Sequence, residues 1–149
     1  MRKLSTAAAF SLVEVTLALG IAAFCLIAVM GLIPVAALTN RNATSQTAAT
    51  NVMAAVIADL RATPTTTNTS SQFAISFGTS GTQTRYFDGS GTASTSLTAN
   101  SRYRLTVTFP TSPTGLSYAD LRVTWPAPAD PANTTPSGTA EMFAAFDRN

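Results

Sequence analysis

The sequence predicts an α+β fold: a long N-terminal helix, apolar in its first half and amphipathic in its second, against a small antiparallel β-sheet. Three observations predict it. From Val15 to Leu38 no residue carries a charge, and only Thr16 interrupts the apolar character. From Ala49 to Leu60 the apolar residues recur at three- and four-residue spacing, the period of a helix with one buried face. From Phe73 onward the period drops to two, as in half-buried strands.

Taken in order, residues 1–9 read as a leader and Phe10 to about Ala62 as one helix in two halves. The first half, 10–38, is apolar on every side, as a membrane span or a filament core must be. Pro34 near its end removes one backbone hydrogen bond, which predicts a kink or local melting. Gly20 and Gly31 weaken the helix but let neighbouring helices approach closely. In the second half, 39–62, Ala49, Val52, Met53, Val56, Ile57 and Leu60 form one stripe. Arg41, Gln46, Asn51 and Asp59 lie mostly off it. Such a stripe is expected to bury itself on the chain's own globular domain. Thr63-Pro64 stops the helix.

Residues 63–72 read as a linker, and Thr65–Gln72 as a mobile polar stretch. The β domain occupies 73–149. Phe73, Ile75 and Phe77 alternate with Ala74 and Ser76 and predict a first strand. A turn follows at Gly78–Gly81, a second strand at Thr82–Phe87 and another turn at Asp88-Gly89-Ser90-Gly91. The clearest strand is Arg102–Phe109. Tyr103, Leu105, Val107 and Phe109 face one way, and Arg102, Arg104, Thr106 and Thr108 the other. Pro110–Gly115 turns the chain, and Leu121, Val123 and Trp125 continue the alternation. Pro126–Gly138 reads as a loop with four prolines, and Ala140–Asp147 as an edge strand. Four or five strands laid on the helix stripe bury both surfaces.

Composition narrows the function. The chain has 149 residues, enough for one anchor helix and one small domain. Its formal net charge is +2, but Arg2 and Lys3 belong to the leader, and beyond it seven Arg balance seven acidic residues. Nucleic-acid binding through overall charge loses its support. There is no His, and the one Cys, Cys25, lies inside the apolar run. That excludes intrachain disulfides, Cys/His metal sites and His-dependent catalysis. Cys25 is expected to be a small packing residue. Charged residues make up only 11%, while 25 residues are Thr. A surface polar through hydroxyls suits an exported domain.

The most specific string is Ala9 to Glu14, Ala-Phe-Ser-Leu-Val-Glu, where the basic leader meets the apolar run. Glu14 is the only charge between Lys3 and Arg41. A carboxylate at the mouth of a hydrocarbon-spanning helix costs about 2–3 kcal/mol on insertion scales. A secretory signal would have an apolar core of roughly 7–15 residues, and this run is longer. A lipoprotein anchor needs a small residue before Cys25, and that residue is Phe24. A plain anchor accounts for the length: Val15–Leu38 reaches about 36 Å at 1.5 Å per residue, against a hydrocarbon core of about 30 Å. Arg2 and Lys3 would keep its N-terminus cytoplasmic. It leaves Phe-Ser-Leu-Val-Glu unexplained.

That string resembles the class III signal of type IV pilins and pseudopilins. In that family a prepilin peptidase cuts before a Phe or Met, and a Glu stands five residues into the mature chain. The resemblance places the cut between Ala9 and Phe10, with Ala9 where the family usually has Gly, and makes Glu14 the assembly residue. It implies N-methylation of the Phe10 amine and a pilin-like fold. Phe-Ser-Leu-Val-Glu-Val-Thr-Leu-Ala-Leu-Gly, with Gly-Leu-Ile-Pro-Val after the span, looks like minor pilins and I-type pseudopilins. Val-Thr-Trp-Pro at 123–126 and the terminal Asp-Arg-Asn suit the pilin-like family called Verru_Chthon cassette protein B. The N-terminal third is the specific match; the rest agrees in architecture.

The implied function is a structural subunit of a type IV pilus or a type II secretion-like filament. The implied partners are a prepilin peptidase, other pilin-like subunits, the assembly machinery and the cytoplasmic membrane, with the C-terminal domain periplasmic. The alternative is a membrane-tethered periplasmic binding module that never assembles. After cutting, the Phe10 amine is cationic below about pH 8 in water, and in a filament Glu14 of one subunit would neutralise that of its neighbour. In an unassembled chain Glu14 is expected to snorkel to the cytoplasmic headgroups.

Other sites carry less. Asp88-Gly89-Ser90-Gly91 lacks the alternating carboxylates that calcium needs and reads as a hairpin turn. Arg102, Arg104 and Arg122, with Arg85, are candidates for a basic patch on the outer sheet face. Interleaved with Thr rather than aromatics, they read as solvated strand positions. The Asn-X-Thr/Ser strings at Asn42, Asn68 and Asn133 are unremarkable in so Thr-rich a chain. No nucleophile–base pair or carboxylate dyad can be assembled, so no catalytic residue, cofactor or metal is assigned.

Overall fold

A computed structural model describes residues 10–77, 81–109 and 116–147. The leader, most of the turn expected at Gly78–Gly81 and nearly all of that at Pro110–Gly115 lie outside them. The chain divides into two compact units, Met1–Arg41 and Asn42–Asn149. One helix, α1 (Leu12–Ala62), is shared by both.

Pro34 lies within α1 and does not interrupt it, so the expected melting there does not occur. The helix ends where its chemistry dictates. Thr63 donates its amide to the Leu60 carbonyl at 3.3 Å and its hydroxyl to the Asp59 carbonyl at 2.7 Å, and Pro64 cannot continue the ladder.

In the second unit, α1 lies against a five-stranded sheet. Its strands are β1 (Gly81–Asp88), β2 (Ala93–Ser94), β3 (Ser101–Phe109), β4 (Leu116–Trp125) and β5 (Gly138–Asp147). The order is β2-β1-β3-β4-β5, antiparallel throughout. All six stripe residues of α1 are buried. They meet the inner face of the sheet, where Leu105, Val107, Leu121 and Val123 are fully enclosed. Each such side chain contributes about 1.5–3 kcal/mol on burial. The alternation expected for Arg102–Phe109 is the one observed; Leu121, Val123 and Trp125 are buried as expected, though Thr124 between them is buried too, and the apolar tail is β5, an edge strand.

The predicted first strand is a correction. Phe73, Ile75 and Phe77 are buried as their alternation implies, but among the described residues they form no ladder; the segment has an isolated bridge, Thr69 with Ser76. Ala74 adopts a left-handed φ of 53°, which an extended strand does not permit. Side chains replace the missing partner strand. Asp59 accepts the amides of Gln72 and Phe73 at 3.2 and 3.0 Å. Ser70 accepts the Ile75 amide through its hydroxyl at 3.1 Å, and its own amide donates to the Ile75 carbonyl at 2.9 Å. Gln83 takes the Ser76 amide at 2.9 Å and returns its own NH2 to the Ser76 carbonyl at 2.7 Å. Arg85 donates to the carbonyls of Phe73, at 2.7 Å, and of Ala74. A buried backbone must be satisfied somewhere, and here side chains do most of it, while the Phe77 amide donates to the Asn68 carbonyl at 2.6 Å.

Three further expectations change with this segment. Asp59 is not on the solvent side of α1 but buried beside the stripe. The stretch before Phe73 is not a free linker, because Ser70 is buried and bonded to Ile75. Arg85 is not on the outer face: it stands opposite Leu105 in register, and directly paired residues share a face. It points inward, toward the segment it holds.

The proline-rich loop from Pro126 is anchored at both ends. The Ala127 amide donates to the Arg102 carbonyl at 2.9 Å, and the Ser137 amide to the Trp125 carbonyl at 2.8 Å.

Candidate functional site: the start of α1 and the sheet surfaces

The first residues of α1 have a specific local chemistry. Ser11 immediately precedes the helix, and its carbonyl accepts the amides of Glu14 and Val15 at 3.0 and 3.2 Å. That places Ser11 at the N-cap and Glu14 third in the helix, the spacing of a Ser-x-x-Glu capping box. An acidic residue in the first turn also complements the helix dipole. Ser11 is not among the residues expected at this site, although its three-residue spacing to Glu14 marks it. Glu14 is exposed, and among the described residues its carboxylate has no ion-pair or hydrogen-bond partner. Phe10 stands just outside the helix and is 80% exposed. Ala9, the other side of the expected cut, lies outside the described residues.

Beyond Glu14 the apolar side chains are exposed on every side of the helix, among them Leu17, Phe24, Ile27 and Leu32. This helix is long and apolar enough to cross a membrane. Thr16, the one polar interruption, donates its hydroxyl to the Val13 carbonyl at 3.0 Å. It therefore leaves no unsatisfied donor for a hydrocarbon environment. Cys25 is exposed, so it is not a packing residue within this chain.

The sheet carries two smaller features. Asp88 accepts the amides of Ser90 and Thr92, each at 2.9 Å, and the Ser90 hydroxyl at 2.7 Å. These bonds hold its carboxyl below the usual carboxylate range, that of the Ser90 hydroxyl foremost. The loop closes the β1–β2 hairpin as expected, and its carboxylate is committed to its own turn. Among the described residues no group of three His, Cys, Asp or Glu stands close enough to hold a metal. Beside this loop, a cleft of about 240 Å³ is lined by Asn51, Val52, Phe73, Phe87 and Tyr103.

The arginines do not form a patch. Arg104 pairs with Asp130 and Arg122 with Glu141, each at 3.0 Å. Asp130 is held below the ordinary carboxylate range by the Ala132 amide, with Arg104 adding to the effect against the opposing effect of desolvation. With Arg85 turned inward and Arg104 and Arg122 paired, Arg102 is the one of the four that is exposed without an ion pair among the described residues.

Compared with known proteins, the chain matches no family model, no curated protein and no solved structure.

Proposed function

We propose that this chain is a pilin-like subunit, held in the cytoplasmic membrane before assembly and added to a pilus or secretion-type filament through α1. The observation that carries this reading is the placement of Glu14. It is a carboxylate with no partner among the described residues, in the first turn of a helix whose following span is uncharged and exposed on all sides. A prepilin peptidase cut between Ala9 and Phe10 would leave an N-terminal amine four residues before that carboxylate. Arg2 and Lys3 orient the N-terminus to the cytoplasm and the sheet unit to the periplasm. In the filament, Glu14 neutralises the Phe10 amine of a neighbour, a pair that sets register more than it adds stability. Pro34 acts as the site where α1 bends when helices pack together.

Two measurements test this. Mass spectrometry of the mature protein, from cells that possess a prepilin peptidase, should find an N-terminal, methylated Phe10. An intact Met1 supports the competing reading, a tethered periplasmic module that does not assemble. Glu14→Gln then separates charge pairing from helix capping, because Gln also serves a capping box. Glu14→Gln and Glu14→Ala should both be cut, keep the sheet unit folded and fail to enter filaments alongside the unsubstituted chain. Normal incorporation of Glu14→Gln would show that the charge is not what matters.

A further inference from the structure

The two edges of the sheet differ. β2 is two residues long, too short to template another strand. β5 runs for ten residues and pairs with β4 without a register shift from Gly138 to Asp147. Natural edges are protected by proline, charged side chains, bulges or shortness; β5 has no proline, lysine or bulge. Its outer positions alternate as Thr139, Glu141, Phe143 and Ala145, all exposed. Glu141 is already paired with Arg122. Phe143, midway along the strand, is 74% exposed, and Tyr118 on the neighbouring strand is 45% exposed. Tyr118 stands opposite Ala145, so Phe143 is its diagonal neighbour, within reach of an aromatic side chain.

We propose that β5 pairs antiparallel with β5 of a second copy of this chain, centred on Phe143, joining the two sheets into one. The strand is complementary to itself in that register. Glu141 falls opposite Ala145, so like charges are not opposed, and Phe143 meets Phe143. An isologous contact of this kind closes with one surface used twice. Main-chain hydrogen bonds along the edge supply affinity, and the central aromatic pair supplies register. The inference rests on the sheet unit alone and stands whether or not α1 assembles into filaments.

The test uses the full chain in detergent with Cys25→Ala, which leaves no native thiol. Single cysteines are introduced by Phe143→Cys, Glu141→Cys, Ala145→Cys and, beyond the opposite edge, Thr95→Cys. A disulfide needs Cα atoms within about 7 Å, so mild oxidation should give roughly tenfold more covalent dimer from Phe143→Cys than from Thr95→Cys. Glu141→Cys and Ala145→Cys should cross-link when mixed with each other and not when oxidised alone. Because Phe143 and its outer neighbours are exposed, these changes leave the core intact. Equal yields at both edges would overturn the proposal, as would Glu141→Cys cross-linking to itself. A pairing strand supplied by a different protein would appear as no self-cross-link at all and overturns it equally.

Discussion

The amide of Phe73 donates to Asp59 Oδ2 at 3.0 Å, so a carboxylate in the last turn of α1 holds the first buried residue of a segment that has no partner strand. Burial alone would raise the Asp59 pKa. Hydrogen bonds from Ser70, from the Phe73 and Gln72 amides and from Ser71 outweigh it and hold the carboxyl below its ordinary value. The stability this group contributes is therefore present above the unfolded-state value of about 3.9 and is lost as pH falls through the lower folded value. Asp59→Asn should cost about 1–3 kcal/mol at pH 7 and flatten the acid limb, leaving the part due to Asp88 and Asp130. Urea midpoints at pH 7 and pH 3, followed by Trp125, the only Trp, would check this. An acid limb identical to that of the unsubstituted chain would count against Asp59.

Arg85 and Gln83 hold the same five residues from the sheet side. Arg85→Lys should not replace the forked donation to Phe73 and Ala74, because a lysine ammonium cannot present two donors in a fixed plane. A loss of about 1–2 kcal/mol is expected. Arg85→Lys combined with Gln83→Ala should cost less than the sum, since both act on one segment. Hydrogen exchange at the Ile75 and Ser76 amides reads the effect directly. Additive losses with unchanged exchange would show that the two residues act elsewhere.

Gly138, at the start of β5, lies against the indole of Trp125, and a methyl group there would overlap the ring. Gly138→Ala should therefore destabilise by about 1–3 kcal/mol through overpacking and alter Trp125 emission in the folded state. Gly89→Ala is the control. Its added carbon would meet the flexible Arg102 side chain at 3.2 Å, and the change should stay within about 0.5 kcal/mol. Similar values for both substitutions would mean that the Trp125 contact is not the cause.

The two halves of α1 should respond oppositely to truncation. Leu60, in the second half, is only 2% exposed, so Leu60→Ala should cost about 2–5 kcal/mol. Leu26 is 65% exposed, and Leu26→Ala should leave the Trp125 unfolding transition in detergent unmoved. A shift with Leu26→Ala would show that the apolar half supports the sheet unit.

Much of this fold was legible because it depends on periodicity. Ala49 to Leu60 at helical spacing and Tyr103 to Phe109 at alternate positions are patterns that burial imposes on any chain, and both came out as read. At the candidate site Glu14 stood out as the lone charge beside the apolar run, whereas the place of Ser11 at the start of the helix was not read from the sequence. What alternation cannot say is whether a second backbone lies alongside to take the hydrogen bonds. Phe73, Ile75 and Phe77 alternate as a strand would, yet Phe73 and Ile75 are held by the side chains of Asp59, Arg85 and Ser70, from up to 14 positions away, and the Phe77 amide by the Asn68 carbonyl. The side of the sheet on which Arg85 sits was equally hidden. Its face follows from pairing with Leu105, and register is a property of two strands, not one. The sequence alone thus determined which residues leave water, through spacing. Only the tertiary structure decided which polar groups go with them, because a buried polar group needs a partner and that partner comes from elsewhere in the chain.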